Sequence, residues 1–128
     1  MLMESGEFKR YSQGELVFKE GDQPSFTILL LSGSLEVFLH RQGREIVLRE
    51  TQPGTIIGEL AVICGIARSA SLRAKSDSVV LQWNAMEFRR LLIRHPLLSE
   101  RVLGQSLRNL IEKEHSVFDS LAQDQTTR

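Results

Sequence analysis

One cysteine in 128 residues leaves no partner for an internal disulfide, so the core must hold by packing, and the composition suits a reducing cytoplasm. With three prolines and nine glycines in all, the chain contains no low-complexity tract. Charge of one sign is also missing. Sixteen basic residues balance 16 acidic ones, and no run of Lys and Arg offers a grip for DNA, RNA or an anionic membrane. Apolar runs are short. The run 28–31 falls far below the length that spans a bilayer, and MLMESGEFKR has no signal-peptide core. One domain, without a membrane segment and located in the cytoplasm, is the expectation.

Histidine is scarce too. His40, His95 and His115 are scattered along the chain, which argues against a metal-dependent β-roll enzyme. No GxSxG elbow is present and Cys64 has no histidine near it in sequence, so the chain is expected to be neither a nucleophilic enzyme nor a metalloprotein. The apolar neighbours of Cys64 predict a buried filler.

What is present divides near Asn84. Before it, β-favouring runs alternate with turn residues: KRYS, ELVFKE, FTILLLS, SLEVFLH, REIVLRE, TII, ASLRAK and SVVLQW. Alternation places Leu35, Val37 and Leu39 on one face, while the unbroken run 28–31 suits a strand covered on both. About eight strands in two packed sheets or a flattened barrel are predicted. After Asn84 the period becomes helical. Asn84 caps a helix with Glu87 three residues on, carrying Met86, Phe88, Leu91 and Leu92 until Pro96 interrupts. A longer amphipathic helix follows, with Leu98, Val102, Leu103, Leu107, Leu110, Ile111 and Val117 at steps of three and four. The residues from 119 on read as a polar tail.

The stretch 57–72, IGELAVICGIARSASL, carries the chemistry. Gly58 follows a strand, ELAVIC can form one short helix, and Gly65 stops it by accepting the left-handed conformation. Such a helix turns backbone N–H groups and its positive end toward an anion. Arg68 shares parity with Ala70 and Leu72 and so should point inward, where it needs an acceptor. Two readings follow. Glu59 and Arg68 form an ion pair that closes the loop, or both address a ligand, with the planar fork of arginine on a phosphate and the carboxylate accepting from a sugar hydroxyl. A ligand with one phosphate charge and a free hydroxyl fits better than a multiply charged nucleotide.

Gly58-Glu59-Leu60-Ala61-Val62 followed by Arg68-Ser69-Ala70 resembles the phosphate-binding cassette of cyclic nucleotide-binding domains, and GELVFKEGD, LLLSGSLEVF and FRRLL are similar to that family's flanking strands and hinge helix. The resemblance spans roughly residues 8–115. It implies an eight-stranded double-stranded β-helix, or jelly roll, over about 8–84, with a short cassette helix, then a hinge helix and a long C-terminal helix to about 118. It also implies that Glu59 accepts from the ribose 2′-OH and Arg68 pairs with the cyclic phosphate. The amides of Gly58, Glu59, Leu60 and Ala61 would lie against that phosphate, Ser69 would add its hydroxyl, and Val37, Leu48, Arg49 and Asn109 would line the base. Ile57 and Ala67 replace residues more common in the family without removing a polar contact. Serine after the arginine resembles the bacterial cAMP receptor proteins, so cAMP is expected before cGMP, as a ligand and with no cofactor. The output would be a packing switch in which Val62 repacks on Phe88, Leu91 and Leu92 and moves the long helix. The implied partners are an effector domain or separate protein and a second copy of the chain through that helix. No helix-turn-helix follows, so direct DNA binding is not expected. The rival expectation is an assembly module of the same fold that binds no nucleotide, with Glu59 and Arg68 serving each other.

Overall fold

The computed structural model describes residues 6–105, 107 and 108. Eight strands precede the helices: β1 Glu7–Tyr11, β2 Leu16–Phe18, β3 Phe26–Ser32, β4 Leu35–Arg41, β5 Arg44–Thr51, β6 Ile56–Ile57, β7 Ser71–Ala74 and β8 Ser78–Asn84. They form two four-stranded antiparallel sheets, ordered β1-β8-β3-β6 and β2-β7-β4-β5. Helix α1, Glu59–Cys64, lies between β6 and β7, and α2, Ala85–Arg94, follows β8 directly. Residues 96–105, 107 and 108 are helical again. The jelly roll with cassette and hinge helices is therefore the fold expected from the sequence.

Two hydrophobic clusters follow from the period-two alternation of the strands. Leu35, Val37, Leu39, Ile28, Leu30, Leu72 and Val80 point between the sheets and fill the roll. The alternate residues of β3 and β8, Leu29, Leu81 and Trp83, point the other way and pack under the helices with Val62, Phe88, Leu91 and Val102. Thus β3 is covered on both faces as its apolar run predicted, although Leu31 at its end is exposed. Phe38 faces away from the roll yet is buried. The Arg73 guanidinium lies over its ring at 4.2 Å and is fixed there by Glu36 and Glu45, so an ion-paired side chain serves as its lid.

The helices start and stop where local chemistry requires. Asn84 Oδ1 accepts from the Glu87 amide at 2.8 Å, and the Ala85 amide donates to Ser25, tying the start of α2 to the entry of β3. Gly65 ends α1 in the left-handed region, φ 67°. Cys64 is exposed, contrary to the buried filler expected from its neighbours. It sits two residues beyond buried Val62, about 200° round a short helix and therefore on the opposite side.

A candidate anion site at the cassette helix

Strand β6 ends at Ile57, and the chain turns into α1 through Gly58, whose φ of 83° is left-handed. No side chain caps this helix end, so its first amides, which have no intrahelical acceptor, remain available to a bound group. Glycine is required here twice over. A Cβ at position 58 would stand 2.6 Å from Arg68 Nη1 and 3.2 Å from Phe18 Cε2, and it would carry the left-handed penalty of roughly 1 to 2 kcal/mol. Gly58→Ala should therefore cost about 2 kcal/mol or more and lower the melting temperature by roughly 7 °C or more. A native melting curve for that variant would contradict this packing.

Arg68 points inward as expected and is only 3% exposed, although it lies in the loop ahead of β7, which begins at Ser71, so strand alternation is not what places it there. Its backbone is gripped by the turn between β2 and β3: the Gly21 amide donates to Arg68 at 2.8 Å and the Arg68 amide to Asp22 at 2.9 Å. In the side chain, Nη1 donates to the Gly58 carbonyl at 2.7 Å and Nη2 to the Phe26 carbonyl. Nε, also buried, has no hydrogen-bond partner among the described residues. Burial pulls the Arg68 pKa down to about 10, against the charges of Asp22 and Glu59, which hold the proton on. The guanidinium is thus desolvated, still charged at neutral pH, and left with an unused donor.

Glu59, the first residue of α1, is also 3% exposed. Its charge acts on Arg68, and its place in the first turn complements the helix dipole. Leu60 is half-buried and Ala61 buried, whereas Ser69 is exposed. The two carbonyl acceptors of Arg68 were not foreseen from sequence, because backbone acceptors leave no trace in residue identity.

The residues expected to line a base come together through an irregularity. Val37 in β4 pairs with Arg49 in β5, but Phe38 pairs with Val47, so Leu48 is an extra residue in a β-bulge. Directly paired residues share a face, which puts half-buried Arg49 on the inner face beside Val37. Leu48 packs against the same core. That core also holds Phe18 and Phe26, the rings that flank Arg68. Asn109, along with Leu110, Ile111, His115 and Val117, lies outside the described residues.

The site is wired to the helices. Arg89 Nη2 of α2 donates to the Val62 carbonyl of α1, and Gln105 Nε2 of the terminal helix donates to the Ile56 carbonyl just ahead of Gly58, both at 2.7 Å. Val62 shares its cluster with Phe88, Leu91 and Val102, with Leu92 packed against it. Among the described residues no helix is long and apolar enough to cross a membrane.

Comparison with known proteins bears on the family and the fold. The regulatory subunit of cAMP-dependent protein kinase from Blastocladiella emersonii is 28% identical over 95 residues, which is 73% of this chain and 24% of that protein. The cyclic AMP receptor protein of Thermus thermophilus is 30% identical over 105 residues, 81% of this chain and 49% of that one. The chain therefore spans less than half the length of either relative. The crystal structure of the catabolite activator protein of Thermus thermophilus superposes with a TM-score of 0.79 at 28% identity, covering 94% of this chain and 56% of its own. Residues 8–95 match the family described as cyclic nucleotide-binding domain, and the chain belongs to that family.

Proposed function

We propose that the domain is a sensor that binds cAMP at the cassette and acts by binding, not by catalysis. The observation that carries the reading is the buried Arg68 guanidinium with its unused Nε, set beside buried Glu59 and an uncapped helix start. A desolvated, charged donor favours an anion far more strongly than an exposed arginine would. In this reading Arg68 meets the cyclic phosphate, the amides of Gly58, Glu59, Leu60 and Ala61 line its other side, and Ser69 adds its hydroxyl. Glu59, a pure acceptor, takes the ribose hydroxyl, and its single negative charge favours one phosphate over several. Val37, Leu48 and Arg49 form the wall for the base, which Asn109 would complete. The names of the two relatives and the serine at position 69 support cAMP over cGMP.

Transmission would run from α1 through the cluster of Val62, Phe88, Leu91 and Val102 to the terminal helix. Leu103 and Leu107, one helical turn apart and both exposed, give that helix a surface for a second copy or an effector. Titration calorimetry with cAMP and with cGMP tests the reading. Heat from cAMP is expected, with the weaker response from cGMP. No heat from either at high micromolar ligand would overturn it in favour of a nucleotide-independent assembly module, for which the two carbonyl bonds of Arg68 already provide a resting place.

A further inference from the structure

Arg68 is held by more than its acceptors. Its guanidinium carbon stands 4.0 Å from the centre of the Phe18 ring and 5.1 Å from that of Phe26, and the two rings meet edge to face at 6.1 Å. Phe18 closes β2 in one sheet and Phe26 opens β3 in the other. The segment between them, KEGDQPS, contains the turn whose backbone grips Arg68 at Gly21 and Asp22. One nine-residue stretch, 18–26, therefore brackets the arginine, with backbone bonds in its middle and a ring at each end.

A guanidinium has two faces and a rim of five donors. Phe18 lies against a face at cation–π distance. The Gly58 and Phe26 carbonyls occupy donors at the tip of the rim, and Nε, on its side, stays unused. The bare Cα of Gly58 is what lets the ring come so close, since a Cβ there would be 3.2 Å from Phe18 Cε2. Together these contacts hold the plane of the fork and leave Nε as its nitrogen without a hydrogen bond, so the Nε edge is the side open to an anion that approaches within that plane.

We propose that Phe18 is a positioning residue for ligand binding: its ring holds the Arg68 guanidinium in the orientation that presents the Nε edge to the phosphate. The inference rests on the cyclic nucleotide reading of the same site. Without the ring, Arg68 keeps its charge and its acceptors but can swing about its last torsions, and the ligand must then bear the cost of ordering it. A leucine removes the cation–π contact while keeping an apolar side chain, whereas a tyrosine keeps the ring.

Two measurements test this. Calorimetry with cAMP should show Phe18→Leu weakened about five- to thirtyfold and Phe18→Tyr within about twofold of the native protein. In ligand-free protein, the Arg68 Nε–Hε resonance should be displaced upfield by the Phe18 ring, stay so in Phe18→Tyr, and return toward the ordinary arginine position in Phe18→Leu. A purely structural role would lower stability without this pattern. Native affinity in a folded Phe18→Leu protein would overturn the positioning role while leaving the nucleotide reading intact. An Arg68 resonance at the ordinary position in the native protein would overturn it as well, and this readout decides even if the leucine variant does not fold. A native protein that binds neither cAMP nor cGMP removes the nucleotide reading and the positioning role together.

Discussion

Replacing Arg68 by alanine is expected to weaken cAMP binding at least about tenfold, because a charge-assisted contact of ~1.4 kcal/mol or more is lost. The loss should be a change in affinity and not only in folding, and the two have to be separated. The variant will also be less stable than the native protein. Removing the guanidinium strands the Gly58 and Phe26 carbonyls, leaves a cavity beside Phe18, and takes away a positive charge that faces buried Glu59. A lower melting temperature alone would therefore follow whether Arg68 serves a ligand or only the fold. The shift that ligand produces is the informative quantity. At a cAMP concentration one hundred times the native dissociation constant, linkage stabilises the native domain by about 2.7 kcal/mol. With affinity reduced tenfold, the same concentration gives about 1.4 kcal/mol, so the ligand-induced rise in melting temperature should fall to roughly half or less. Equal rises in the two proteins, or equal affinities by calorimetry, would remove Arg68 from the binding role.

The pKa of Arg68 adds a signature in pH. Because burial pulls it down to about 10, the group stays charged through pH 6 to 9 and begins to lose its proton in the folded protein near 10. Affinity that depends on this charge should hardly change between roughly pH 6 and 9 and should decline as pH passes about 10. Binding of the phosphate would in turn hold the proton and raise that pKa.

Much of this site was legible in the chain because its signals are local. The left-handed stop at Gly65 and the Asn84 cap each depend on two to four neighbouring residues, whereas Arg68, in the loop ahead of β7, is buried by distant bonds to Gly21 and Asp22 and not by strand alternation. The cassette motif supplied the rest of the contour. What escaped is long in sequence or invisible in side-chain identity. Phe18 and Phe26 lie 50 and 42 residues before Arg68, and nothing in their own strands marks them as neighbours of an arginine. The carbonyls of Gly58 and Phe26 belong to the backbone and could be supplied by any residue. The bulge at Leu48 breaks the alternation that would otherwise turn Arg49 outward, so the inner placement of Arg49 beside Val37 could not be read from periodicity. Cys64 failed for the opposite reason. Its apolar neighbours were read as a buried run, although a helix only six residues long can bury just one side.

Phe88 should separate stability from signalling most sharply. Its side chain is fully buried, its ring stands 6.2 Å from that of Trp83, and it shares a cluster with Val62 of α1 and Val102 of the terminal helix. Phe88→Ala deletes the largest contact α2 contributes there and is expected to cost about 3 to 5 kcal/mol, a large fraction of the roughly 5 to 15 kcal/mol that holds a domain together. The melting temperature should fall by about 12 °C or more. Phe88→Leu retains much of the volume and is the variant in which transmission can be read. Phe88 belongs to the cluster under the helices and not to the core inside the roll, which holds Val37, Leu48 and the Phe18 ring beside Arg68. Affinity for cAMP should consequently stay within about threefold of native, since no ligand contact is removed. The change should appear elsewhere. In the native protein, cAMP is expected to alter amide hydrogen exchange along 96–105 if, as proposed, movement of α1 passes through Val62 and Phe88 to Val102, with the bonds from Arg89 to Val62 and from Gln105 to Ile56 as polar links. A smaller, branched side chain at position 88 loosens the middle of that path, and ligand can bias the terminal helix only as far as the packing distinguishes its two positions. On the proposed transmission, exchange along 96–105 should respond to cAMP in the native protein and much less in Phe88→Leu. An undiminished response in that variant would show that the signal reaches the terminal helix by another route, with the Gln105 bond to β6 the first to test by Gln105→Ala.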